Sequence, residues 1–253
     1  MRAMIFAAGL GTRLKPLTDT MPKALVPLAG KPLLQWQVEK LRDAGLTDIV
    51  VNVHHFPDQI IDTIRANDGW GCHIEVSDER DELLDTGGGL KKMHNAQCTM
   101  RDEAILACNV DILSNIDIKD LVRRYEQTGV SQLVVSERKT QRYLLFDEEN
   151  TLRGWTNITT GEYKPSSLQG EVGGRLTRLA FSGMQILGAD VMDKLREMPQ
   201  AKFSLIDFYL HLCETNHKSI LRAYIPENYR MMDVGKIDQI EQAEAFAESL
   251  PTL

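Results

Sequence analysis

Short apolar runs alternate with longer stretches of helical periodicity along most of the chain, the pattern of βαβ units around a largely parallel sheet. Met4-Ile5-Phe6-Ala7 reads as the first strand. After a loop rich in Gly and Pro, Leu34, Val38 and Leu41 fall at helical spacing within 33–44, and Gly45 is placed to stop that helix. Residues 49–53, 73–77, 103–109 and 133–135 read as further strands, with helices over 59–66 and 118–127. The strand over 103–109 delivers Asp111 at its C-terminal end.

Between 141 and 178 the texture turns polar and Gly-rich, which predicts an inserted antiparallel ribbon. The α/β pattern then returns through a strand over 181–187, a helix over 205–213, a strand over 220–224 and a closing helix over 237–247. No internal repeat and no low-complexity linker interrupts it, so the expectation is one domain spanning 1–253.

Composition narrows the function classes. The 253 residues carry 29 Lys and Arg against 36 Asp and Glu, a net charge of −7. Such a chain has no general attraction for nucleic acid or an anionic membrane. No stretch approaches the roughly 20 apolar residues of a membrane span, and the run from Ala3 to Leu10 is a buried strand and its loop rather than a signal peptide. Cys72, Cys98, Cys108 and Cys213 are far apart and form no C-x-x-C pair, which suits a reducing, cytoplasmic setting. His54-His55 point to opposite faces of a strand end, and none of the six histidines has zinc-site spacing.

The chemistry is concentrated in Ala7-Ala8-Gly9-Leu10-Gly11-Thr12-Arg13-Leu14 and Pro22-Lys23-Ala24-Leu25-Val26-Pro27. Glycines directly after a first parallel strand let the backbone approach a ligand, and exposed N–H groups there cradle an anion. Leu14 stands where a dinucleotide fingerprint needs a third small residue. Gly30-Lys31 and Gly235-Lys236 lack the Ser or Thr of a P-loop. What remains is a glycine loop with two cations, Arg13 and Lys23: a planar fork and a compact point charge for phosphate oxygens.

These two segments resemble the signature of the sugar-1-phosphate nucleotidyltransferases, and Leu84-Asp85-Thr86-Gly87-Gly88-Gly89 with Asp233-Val234-Gly235 looks most like the N-acetylmuramate-1-phosphate uridylyltransferase branch. The resemblance implies a Rossmann-like, glycosyltransferase-A type sheet with helices on both faces. It implies a nucleotide-binding half over 1–140 and a sugar-binding half over 141–253, with an NTP and a sugar 1-phosphate as substrates.

By matching motif, Arg13 would grip the departing β and γ phosphates and Lys23 the α-phosphate. Ala8, Gly9, Gly11 and Thr12 would supply nucleotide contacts, and Gly87 and Gly88 would pack against the base. Asp111 and Asp233 would hold magnesium, which suits two acids at strand ends on one sheet edge. Asn157, Glu162, Lys164 and Gly183 would line the sugar side. Local competitors exist for several: Asp111 and Asp233 could be helix caps, and the ribbon residues ordinary turn formers. Val110 replaces the glycine common before the metal aspartate, and Tyr163 interrupts the usual Glu-Lys-Pro segment, which leaves the sugar open. Mannose with GTP, glucose with TTP or UTP, and phosphocholine with CTP are alternative pairs; a silent nucleotide-sugar sensor is the alternative of another class. The 141–178 ribbon is a candidate oligomer contact.

Overall fold

The computed structural model describes residues 1–96, 103–169, 175–215 and 221–250. β1 (Arg2–Phe6) leads through a long loop to a two-stranded ribbon, β2 (Pro27–Leu28) and β3 (Lys31–Pro32). Then come α1 (Leu33–Asp43), β4 (Asp48–Val53), α2 (Pro57–Ala66), β5 (His73–Asp78), α3 (Asp85–Ala96), β6 (Ile105–Asn109) and β7 (Ile112–Ser114). α4 (Ile118–Thr128) and β8 (Ser131–Ser136) precede the ribbon strands β9 (Arg142–Phe146), β10 (Leu152–Asn157) and β11 (Glu162–Lys164). The chain closes with β12 (Thr177–Leu187), α5 (Ala189–Glu197), α6 (Leu205–Glu214), β13 (Leu221–Tyr224), β14 (Met231–Asp233) and α7 (Ile240–Glu248). Cys98, Gly170, Gly173, Gly174, His217 and Ile220 lie outside the described residues.

Local signals act as the sequence predicts. Gly45 sits at φ 89° after α1, where the Leu46 N–H reaches the Leu41 carbonyl at 2.9 Å and the Gly45 N–H the Arg42 carbonyl at 2.8 Å. This left-handed stop closes the orphan carbonyls of the last turn. The Asp117 carboxylate caps α4 at the Asp120 N–H, and Gly129, at φ 65°, ends it.

The main sheet runs β11-β10-β9-β12-β6-β1-β4-β5, with β8 beside β12 and β13 beside β8. β6, β1, β4 and β5 are mutually parallel, so their C-terminal ends share one edge. The expected strand over 181–187 lies within β12, which is eleven residues long and antiparallel to β6, β8 and β9. It arrives from a hairpin ribbon rather than from a crossover helix, and only a crossover returns a strand parallel.

Helices cover both faces of the sheet, and β1 shows why. Ala3 and Ile5 face a core with α1, α2, α4 and α7, whereas Met4 and Phe6 face a second core with α3, α5 and α6. A strand buried on both faces reads as a continuous apolar run, which is how β1 reads. α3 and α5 were not among the predicted elements, and the closing helix starts as a 3-10 turn with Ile237 exposed at 43%.

Candidate active site

The first loop leaves β1 at the carboxyl edge of the parallel strands, where open α/β sheets present a crevice. Gly11 turns it at φ +63°. A Cβ there would lie 2.8 Å from Thr18 Cγ2 and 3.0 Å from Lys23 Cβ, so the turn needs glycine on two counts. The Leu14 N–H and the Thr18 hydroxyl both donate to the Gly11 carbonyl, at 2.8 and 2.9 Å. Arg13 is left exposed to solvent and Lys23 is buried.

A cleft of about 460 Å³ opens over this loop. Phe6, Ala7, Gly9, Leu10, Gly11, Thr12, Arg13 and Lys23 line it from β1 and the loop; Leu83, Thr86, Asn109, Val110, Asp111 and Gly235 complete it. Val110 is 4% exposed and packs into the core, and its N–H donates to the Phe6 carbonyl at 3.2 Å. That fixes the backbone from which Asp111 projects.

The two aspartates meet across the short ribbon that β7 forms with β14. Asp233 is in register with Ile112, and the Val234 N–H donates to the Asp111 carbonyl at 2.8 Å. The Lys23 ammonium forms an ion pair with Asp111. Crowding by the protein around it, and then the like charge of Asp111, hold the Asp233 carboxyl above the ordinary carboxylate range; Lys23, Arg13 and Arg138 pull it back. Gly235 leaves space for this convergence, since a Cβ there would sit 2.7 Å from Asp233 Oδ1 and 2.9 Å from Arg13 Nη2. From behind, α1 holds the outer edge of β7: Gln37 donates to the Ile112 carbonyl at 2.6 Å, and Lys40 to the Ser114 carbonyl and hydroxyl at 2.5 and 2.8 Å. Burial pushes the Lys40 ammonium down to about 8.

Gly9, Gly11, Thr12, Arg13, Lys23, Asp111 and Asp233 are thus brought together. Gly183 joins them from β12 at φ +70°, where a Cβ would lie 2.9 Å from Asn109 Nδ2. Ala8 is buried and does not line the cleft. Gly87 and Gly88 sit in the first turn of α3, and both N–H groups donate to the Phe203 carbonyl, at 2.9 and 3.1 Å. Thr86, rather than either glycine, reaches the cleft. Asn157, Glu162 and Lys164 form a group of their own at the β11 edge: Asn157 pairs with Glu162 in register, and Lys164 lies 3.4 Å from the Glu162 carboxylate and 5.6 Å from the Trp155 ring centre. Two strands, β9 and β12, separate this β10–β11 group from β6.

Sequence reasoning missed Leu10, Leu83, Thr86, Asn109 and Arg138. Leu10 is 44% exposed, an apolar side chain held open at the cleft beside Leu83. Its position within the glycine loop was a usable signal. Arg138 carried none: it lies in a loop after β8, donates to the Phe181 carbonyl at 2.9 Å and acts on Asp233 only through the fold.

A doubly covered α/β sheet with cations and carboxylates gathered on one glycine-loop cleft defines a protein that handles phosphate groups. The chain belongs to the nucleotidyl transferase family, whose model matches residues 2–249. It is 30% identical over 258 residues to the N-acetylmuramate alpha-1-phosphate uridylyltransferase of Neisseria meningitidis serogroup B, covering 98% of each chain. The corresponding Caulobacter vibrioides enzyme is 42% identical over 111 residues, 43% of this chain and 45% of that one. Among solved structures, HddC from Yersinia pseudotuberculosis complexed with GMP-PN superposes with a TM-score of 0.73 at 22% identity, over 97% of this chain and 99% of that one. A UDP-glucose pyrophosphorylase from Acinetobacter baumanii gives 0.74 at 18%, over 100% and 95%. Both likenesses establish the shared fold. No helix among the described residues is long and apolar enough to cross a membrane.

Proposed function

We propose that this nucleotidyltransferase joins UTP to N-acetylmuramate 1-phosphate, giving UDP-N-acetylmuramate and pyrophosphate. The observation that carries the reaction class is the convergence of Arg13, Lys23 and Asp111 on one cleft at the sheet's carboxyl edge, with Asp233 within electrostatic reach of all three. The substrate pair is supported by the full-length likeness to the Neisseria enzyme.

In this reading an oxygen of the sugar phosphate attacks the α-phosphorus of the nucleotide in line with the departing pyrophosphate. That phosphate is already anionic at neutral pH, so no general base is required and the site's work is positioning and charge compensation. Lys23, a buried point charge on a flexible stem, follows the α-phosphate; Arg13, exposed and forked, takes the β and γ oxygens. Leu10 and Leu83 offer the base an apolar wall. Gly183 leaves Asn109 room at the sugar side, and Asn157, Glu162 and Lys164 would contact the sugar from the ribbon edge.

Two hard carboxylates carried by adjoining positions of the β7–β14 ribbon, within electrostatic reach of Arg13 and Lys23, fit magnesium, which takes one or two carboxylates together with substrate phosphates. Asp111 and Asp233 would hold it, and the ion would neutralise phosphate charge as the reaction proceeds.

The test is pyrophosphate release with magnesium, over a grid of the NTPs against the 1-phosphates of N-acetylmuramate, glucose, mannose and N-acetylglucosamine, plus phosphocholine. UTP with N-acetylmuramate 1-phosphate is expected to dominate. A different dominant pair would replace the substrates and keep the reaction. Silence across the grid, from folded protein that binds a nucleotide, would overturn the reading in favour of a sensor.

A further inference from the structure

Behind the cleft lies a buried carboxylate that the proposed reaction does not use. Glu79 follows β5 and is 2% exposed, and Asn52, near the end of β4, is also 2% exposed. The Ala7 N–H donates to Asn52 Oδ1 at 2.8 Å, Asn52 Nδ2 donates to Glu79 Oε1 at 2.8 Å, and the Leu84 N–H donates to Glu79 Oε2 at 3.1 Å. These bonds join the start of the glycine loop to the 83–86 segment on the opposite wall of the cleft.

The polarity of the chain is fixed at both ends by backbone N–H groups, which only donate. Asn52 must therefore turn its oxygen to Ala7 and its NH2 to Glu79, and both Glu79 oxygens must accept. An ionised carboxylate is the side chain that offers acceptors alone. Gly89 belongs to the same arrangement. A Cβ there would lie 2.7 Å from Glu79 Oε1 and 3.0 Å from Asn52 Nδ2, whereas Gly87 and Gly88 are closed off by Phe203 and by the Ala201 carbonyl. The third glycine of the triplet leaves room for the Asn52–Glu79 bond.

We propose that Glu79, acting through Asn52, is a positioning residue that sets the separation of the two nucleotide-binding walls. The proposal rests on the nucleotide reading of the cleft. It predicts a defect that depends on donor and acceptor polarity and not on side-chain size.

Glu79→Gln is nearly isosteric, yet however its amide turns, an N–H meets either the Asn52 amide or the Leu84 N–H. Asn52→Asp instead sets two carboxylates against each other. The reciprocal exchange, Asn52→Asp with Glu79→Gln, restores every bond: Ala7 and the new glutamine NH2 donate to the aspartate, and Leu84 donates to the glutamine oxygen.

The experiment measures UTP affinity by calorimetry, KM and kcat where a turnover pair is known, and hydrogen-exchange protection of the Ala7 and Leu84 amides. Each single variant is expected to bind UTP about tenfold more weakly, through a buried donor left unmet in Glu79→Gln and through two opposed acceptors in Asn52→Asp. The loss should fall on KM more than on kcat, with protection lost at both amides, and the double variant should recover affinity and protection. Wild-type affinity and protection in Glu79→Gln would overturn the proposal. So would a folded double variant as defective as the singles, or a double variant that fails to fold when the singles fail. A wild-type protein that binds UTP but turns over no pair would sink the proposed reaction and leave this test intact. If the wild type binds no UTP, the exchange pattern at Ala7 and Leu84 still decides whether the polarity of the chain orders the walls.

Discussion

Lys23 and Asp111, 88 residues apart in the chain, are ion-paired inside the cleft, their side chains 10% and 18% exposed. The cation assigned to the α-phosphate and the carboxylate assigned to magnesium compensate each other directly. Removing one leaves the other partly buried with its direct partner gone, a loss of up to about 3–5 kcal/mol for a fully buried pair and less here because both reach solvent. Lys23→Met and Asp111→Asn are each expected to lower the melting temperature and to cut pyrophosphate release by at least about a hundredfold. The double variant should be less destabilised than the sum of the singles. Additive losses in a thermal-melt cycle would show that the pair is not coupled.

Asp233 should behave in the opposite sense. Its carboxyl is held above the ordinary range, so the folded protein binds that proton more readily than the unfolded chain does. The corresponding stability is present at low pH and is lost as pH rises through the folded-state value. Asp233→Asn is therefore expected to abolish turnover while leaving the neutral-pH urea midpoint equal to or above that of the wild type. A lowered midpoint would contradict the repulsion with Asp111.

Lys40 supplies a pH dependence on the alkaline side. Burial brings its ammonium down to about 8. Between that pH and the ordinary lysine range the unfolded chain holds a proton that the folded one has released, so stability rises with pH across this window. At about 1.4 kcal/mol per pH unit the gain is on the order of 2–3 kcal/mol. Denaturant melts at pH 7.5 and pH 10, compared between wild type and Lys40→Met, isolate it: the difference between the two proteins should change with pH, and parallel curves would refute it.

Gly11→Ala tests the turn that separates the two cations. A left-handed φ costs an L-residue about 1–2 kcal/mol, and the new methyl would press on Thr18 and on the stem of Lys23. We expect a lower melting temperature and a raised KM for the nucleotide. Unchanged kinetics would mean that the loop adjusts without moving Lys23.

The alternation of apolar runs and helical periods determined the α/β class, the strands that became β1, β4, β5, β6 and β8, and the stop of α1 at Gly45. Those outcomes depend on neighbours within a few residues. The glycine loop and its Arg13 and Lys23 were legible for the same reason. α3 was hidden because Gly87, Gly88 and Gly89 are poor helix formers, and packing against Phe203, Ala201 and Glu79 overrides that propensity. Only the tertiary structure turned β12 antiparallel, placed Arg138 near Asp233, set Gly87 and Gly88 behind the cleft and grouped Asn157, Glu162 and Lys164 at the far sheet edge. Strand order and the pairing of distant charges depend on which surfaces are buried together, and residues far apart in the chain carry no local signal of that.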